Sequence, residues 1–267
     1  MQRKDKEAFL QNIRSDYAMV ADMVLQQGLD TWKAHVCPGI YEGMEAAYRD
    51  APGYFPPANF GLGCGQPFLF ADIRPGDRVL DLGCAAGVDT LIAAHICSPG
   101  GSAIGIDLSP DLVALAASHA NAAGKSNASF LVADIADIPL HDASADAIIS
   151  NGVFSLPPDQ PAVFREMARL LRPGRYFCIA DIVKNDEYDD LLMGALRLYT
   201  GCHSGITMKG SYEKMALAAG FRDISCVHER MVEIPDSLLQ PFMDATAIAD
   251  WKKSGKGLSI VTLRGTQ

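Results

Sequence analysis

The chain has 267 residues, 49% of them hydrophobic and 21% charged, with a net charge of -9. That composition suits one α/β domain with appendages and a full core. The acidic balance and the lack of any Lys/Arg-rich run exclude a phosphate-backbone partner, so no nucleic acid is expected. No apolar run approaches the roughly 20 residues of a membrane span, so the reading is a cytoplasmic protein with no membrane partner.

In chain order, Phe9, Ile13, Tyr17, Val20, Val24 and Leu25 recur at helical spacing and predict an amphipathic helix from residue 5 to about 34, broken near Gly28. Its apolar face reads as core-facing. From Cys37 to Pro67 glycines and prolines alternate with Tyr41, Tyr48, Tyr54, Phe55 and Phe60. A long aromatic loop of this kind is expected to cover a binding site. Strands are then predicted at 79–82, 103–107, 129–133, 147–150 and 176–182, alternating with helices at 87–97, 110–123, 159–171 and 186–200. Ser109 before Pro110 reads as a helix cap. Alternation of this kind implies a mostly parallel sheet with helices on both faces. Two further strands, 223–234 and 258–264, complete seven strands as an antiparallel C-terminal hairpin. The expected organisation is an N-terminal helix and lid over 1–74, a ligand-binding core over 75–185 and acceptor-side helices and strands over 186–267.

The most informative stretch is R-V-L-D-L-G-C-A-A-G at 78–87, followed by I-G-I-D at 104–107. A strand, a glycine turn and a helix bring backbone N–H groups to a ligand, and an acid ending the next strand accepts ribose hydroxyls. The turn lacks the G-x-G-x-x-G of a pyrophosphate site, and Asp81 would repel a pyrophosphate. An ammonium, a sulfonium and a ribose suit these acids, which points to S-adenosylmethionine. Asp81, Gly83, Cys84, Ala85 and Gly87 form the expected turn contacts. Asp107 and Leu108 follow at the ribose, Asp134 and Ile135 at the adenine, and Asn151 or its neighbouring backbone at the methionyl end. Asp89 reads equally as a site residue or as a solvent-facing residue at a helix start.

The seven cysteines, at 37, 64, 84, 97, 178, 202 and 226, contain no C-x-x-C pair and read as reduced thiols. Cys84, Cys97, Cys178 and Cys226 lie in apolar patterns and are expected to be buried. Cys37, Cys64 and Cys202 lie in Gly/Pro-marked loops, where chemistry is usually placed.

On V-L-D-L-G-C-A-A-G, I-G-I-D-L-S, V-A-D-I and L-L-R-P-G, residues 75–185 resemble class I S-adenosylmethionine-dependent methyltransferases. Ala85-Ala86 and Arg175 depart from the commoner glycines, which would weaken binding or reshape the pocket. G-L-G-C-G-Q-P at 61–67, I-S-N-G-V at 149–153 and Y-T-G-C-H-S-G-I at 199–206 are similar to segments of arsenite methyltransferases. The resemblance implies a Rossmann-like fold, a small-molecule acceptor, and Cys64 and Cys202 as thiolates for trivalent arsenic, with Cys37 able to join them. The family's S-N-C-V has a cysteine where this chain has Gly152, which removes half of the usual dithiol. Acceptor handling falls to Cys64, Cys202 and His203, with Tyr41 a further candidate; no metal cofactor is expected. Two other readings stay open: a methyltransferase for an organic O, N, C or S acceptor, and a protein that binds the cofactor without transfer.

Overall fold

The computed structural model describes residues 3–33, 44–200 and 205–267. Cys37, Tyr41, Cys202 and His203 lie outside the described residues. Helices α1 (Arg3–Gln27) and α2 (Leu29–Lys33) flank Gly28, as the helical spacing requires. A short α3 (Met44–Arg49) and two single 3-10 turns, Pro56–Ala58 and Pro67–Leu69, occupy the described part of the aromatic stretch.

The sheet contains β1 (Arg78–Leu82), β2 (Ser102–Asp107), β3 (Ala128–Val132), β4 (Ala145–Asn151), β5 (Leu171–Lys184), β6 (Thr207–Met208), β7 (Arg222–Met231) and β8 (Leu258–Thr266). Seven run in the order β3-β2-β1-β4-β5-β8-β7. The first five are parallel, and β8 is antiparallel to β5 and β7. The two-residue β6 was not expected from the sequence; it pairs with the end of β5, beyond the last residue paired to β4.

Between the strands lie α4 (Val88–Ile96), α5 (Pro110–Ala122), α6 (Gln160–Leu170), α7 (Asp190–Thr200), α8 (Ser211–Ala218), α9 (Asp236–Leu239) and α10 (Ala245–Lys253). Ser109 caps α5, its hydroxyl accepting the Leu112 N–H. Helices α8, α9 and α10 had no sequence prediction. Because α9 and α10 separate β7 from β8, the two C-terminal strands are an antiparallel pair with a long helical connection.

Strand side chains alternate between faces, and the two faces differ in bulk. Leu80, Leu82, Ile148, Phe177 and Ile179 face a core with Phe154, Phe164, Tyr212 and Phe221. Their neighbours Val79, Ala147, Ile149 and Cys178 face Ala93, Ala94 and Cys97 of the α4 side. Small residues there let α4 lie close to the sheet, which brings its first turn to the carboxyl ends of β1 and β4.

Two expectations are corrected here. Cys226 is exposed, because β7 is the edge strand and its bulges turn that side chain out of the sheet. Arg175 does not touch the ligand end of the sheet. It pairs with Asp77 and Asp146, beside the starts of β1 and β4. Arg175→Ala is therefore expected to cost about 2 kcal/mol of stability through this partly buried network. Denaturant titration should show that loss while calorimetry shows ligand affinity unchanged; weakened binding would place Arg175 back at the site.

Candidate functional site

In an open α/β sheet the crevice lies where the strand order reverses, here between β1 and β4. A cavity of about 460 Å³ opens at that point, within the usual range for small-molecule sites. The glycine turn forms its floor. Gly83 has φ +75°, and a Cβ there would stand 2.2 Å from Val153 Cγ2, so no side chain fits. Ala85 takes the left-handed conformation with φ +46° despite its Cβ. Its N–H donates to Asp107 Oδ2 at 2.9 Å, which holds the turn in place of the glycine common at such sites.

Nine of the ten residues expected to contact a cofactor line this cavity: Asp81, Gly83, Cys84, Ala85, Asp107, Leu108, Asp134, Ile135 and Asn151. Gly87 does not. It caps α4 and packs under Ala116 and Phe130, a backbone role at the turn.

Four carboxylates converge on the space. Asp107 takes the Ala85 and Ser109 N–H groups, one on each oxygen; burial raises its pKa and these bonds oppose the rise. Asp81 accepts from Thr90 Oγ1 at 2.6 Å, and burial, then the charge of Asp89, push its pKa well up. Asp89 accepts from Tyr48 Oη at 2.7 Å and from Asn151 Nδ2 at 2.8 Å. Burial raises it to about 6 against those two bonds. No lysine or arginine is found among the described lining residues. Such a wall repels phosphates and attracts a cation, and its acids still have lone pairs for ribose hydroxyls.

Asp89 is therefore not solvent-facing: it is buried and lines the cavity. Asp134 also differs from expectation. Its Oδ2 pairs with Lys6 at 2.9 Å and its Oδ1 accepts the Ala136 N–H. Helix α1 supplies that lysine and lines the cavity with Leu10, Ile13 and Tyr17, where a purely core-facing helix was expected. Tyr48, Ala58, Asn59, Phe60, Gly61, Leu62 and Gly63 form another wall, as expected of a covering segment.

Cys64 is buried in a separate cluster with Ala180, Ile182, Leu196 and Ile206, behind the wall formed by Leu62 and Gly63. Among the described residues of 198–207, none lines the cavity. Cys84 is both buried and part of the wall; burial pushes its thiol pKa up. No group of three or more His, Cys, Asp and Glu among the described residues is arranged to hold a metal ion.

A family model described as a methyltransferase domain matches residues 73–220. The chain belongs to this methyltransferase-domain family. It is 37% identical over 168 residues to an arsenite methyltransferase of Halobacterium salinarum, covering 62% of this chain and 43% of that one. It is 34% identical over 187 residues to an arsenite methyltransferase of Aquipseudomonas alcaligenes, covering 67% of this chain and 53% of the relative. The chain therefore spans about half the length of these curated relatives. A crystal structure of an arsenic(III) S-adenosylmethionine methyltransferase from Chlamydomonas reinhardtii superposes with a TM-score of 0.64 at 28% identity, over 84% of this chain and 73% of that one. The sheet order and the carboxylate-lined crevice of this methyltransferase-domain protein agree with that kinship. No helix among its described residues is long and apolar enough to cross a membrane.

Proposed function

We propose that this chain binds S-adenosylmethionine in the carboxylate-lined cavity and transfers its methyl group to a small-molecule acceptor, trivalent arsenic being the first candidate. The observation that carries the reading is the convergence of Asp81, Asp89 and Asp107 on one cavity with no cation beside them, together with Asp134, whose one oxygen is held by Lys6. Residues 1–74 then serve as helix and lid, 75–185 as the cofactor core and 186–267 as the acceptor side.

When bound, the cofactor supplies an activated methyl group, so the protein need only bind, orient and exclude water. Asp107 holds the ribose hydroxyls. Ile135 N–H and Asp134 meet the adenine, the latter once Lys6 yields its oxygen. Asp81 and Asp89 hold the ammonium end. Leu62, Val153 and Leu156 keep the transfer region dry.

On the acceptor side, Cys64 offers a soft sulfur. The resemblance to arsenite methyltransferases makes Cys202, which lies outside the described residues, its partner in a thiolate pair. Cys37 is a third candidate ligand, and His203 and Tyr41 are candidates for moving a proton. The reading places the protein in a reducing, cytoplasmic setting, where these thiols persist.

One observation favours an organic acceptor instead. Gly152 has φ +76°, and a Cβ there would lie 3.1 Å from the Leu62 carbonyl oxygen. A cysteine at this position would need a left-handed backbone and a small displacement of the Leu62 carbonyl. Calorimetric titration of the reduced protein with arsenite, with S-adenosylhomocysteine present, separates the two. Saturable binding abolished by Cys64→Ser and by Cys202→Ser is the expected result. Heat with S-adenosylhomocysteine but none with arsenite would retire the arsenic reading and leave the organic one.

A further inference from the structure

The loop carrying Cys64 is attached to the cavity through one side chain. Asn151, at the end of β4, accepts the N–H groups of Cys64 and Gly65 on Oδ1, at 2.8 and 2.9 Å. Its Nδ2 donates to the Gly65 carbonyl and to Asp89 Oδ2, both at 2.8 Å, with Tyr48 Oη equally near. Tyr48 in turn donates to the other oxygen of Asp89. One amide therefore bonds a cavity carboxylate on one side and the backbone of the Cys64 loop on the other.

The loop sequence is shaped to this attachment. A Cβ at Gly63 would stand 2.4 Å from Asn151 Nδ2, and one at Gly65 would stand 2.4 Å from Ala180 Cβ. Glycine at both positions lets the backbone come within hydrogen-bond distance of the amide. This accounts for the second and third glycines of G-L-G-C-G, while Gly61, with φ +68°, serves the backbone turn. Asn151 lines the cavity, at the end where it or its neighbouring backbone was expected to meet the methionyl group, and its amide bonds protein groups.

We infer that Asn151 is a positioning residue that couples occupancy of the cavity to the Cys64 loop, so that a bound adenosyl ligand holds Cys64 in its buried place. The coupling rests on the cofactor reading given above. A ligand in the cavity packs on Leu62 and Gly63 and places its cationic group beside Asp89. Asp89 orients the amide, and the amide holds the two N–H groups that fix Cys64. Because Cys64 is almost fully buried, a thiol reagent reaches it only when this loop opens.

The test is the rate of iodoacetamide labelling, mapped by mass spectrometry on the reduced full chain, with and without S-adenosylhomocysteine at a concentration shown by calorimetry to saturate. Exposed Cys226 reports reagent reactivity, and fully buried Cys178 reports global unfolding. In the wild type, ligand is expected to slow Cys64 labelling at least about tenfold, the order carried by two buried amide hydrogen bonds, with Cys226 unaffected. In Asn151→Ala, Cys64 is expected to label faster without ligand and to lose most of its ligand protection while Cys178 stays unlabelled. Should Asn151→Ala expose Cys178, Gly63→Ala decides, because it displaces the loop from an intact amide. Equal protection in the folded variant and the wild type would overturn the coupling, as would ligand heat without protection in the wild type. Absence of ligand heat in the wild type would overturn the cofactor reading and the coupling with it.

Discussion

Asp107→Ala is expected to weaken S-adenosylhomocysteine binding at least about 100-fold, since two charge-assisted hydrogen bonds to ribose hydroxyls are worth roughly 1.5 to 3 kcal/mol each. The loss has a second source. Asp107 holds the N–H of Ala85, whose left-handed backbone carries a side chain where glycine is usual, and the N–H of Ser109 at the start of α5. Without the carboxylate, the turn that forms the cavity floor loses its clamp. Asp107→Asn keeps an acceptor and the shape but not the charge, so it should fall between wild type and Asp107→Ala. Calorimetry on the three proteins gives the order. An Asp107→Ala affinity within a few-fold of wild type would mean that the ligand does not meet this strand end.

The ligand-free protein is expected to lose stability as pH rises from about 4 through about 7. Burial, the largest cause in both cases, lifts Asp89 to about 6 and Asp181 to about 7. Both values exceed the roughly 3.9 of an unfolded aspartate. The folded state therefore holds protons that the unfolded state has released. The stabilisation is complete below about 4 and is lost as pH passes through the two folded values, an effect on the order of a few kcal/mol.

Asp181 is the cleaner reporter. It lies within β5, almost fully buried, and accepts the Ser155 and Ile182 N–H groups at 3.1 and 2.6 Å. Asp181→Asn keeps an acceptor for those donors and removes the proton equilibrium. Urea midpoints at pH 5 and pH 8 should lie closer together in the variant than in the wild type, the remaining difference being that of Asp89. A wild type equally stable at both pH values would show that neither carboxylate carries its proton in the folded state.

The strand ends were legible because each apolar run stops at a polar residue that the fold then points at the crevice. Asp81, Asp107, Asp134 and Asn151 all line it. What each one holds was less legible. The partners of Asn151 lie 62 to 103 residues away, and no local pattern encodes them. Helices α9 and α10 went unseen because four and nine residues carry little periodic signal. Cys226 reads as buried in its apolar run, yet edge position and a bulge turn it to solvent.

By itself the sequence determined the alternating sheet, its mostly parallel sense and the acids that end its strands, because hydrophobic period and turn chemistry are local properties of the chain. Only the tertiary structure decided that Asp89 is buried, that Lys6 reaches Asp134, and that Asn151 joins the cavity to Cys64. Those contacts arise when α1, the first turn of α4 and the glycine loop are packed onto the same end of the sheet. A hydrogen bond across such sequence distances depends on where whole elements come to rest, and residue type alone does not encode that.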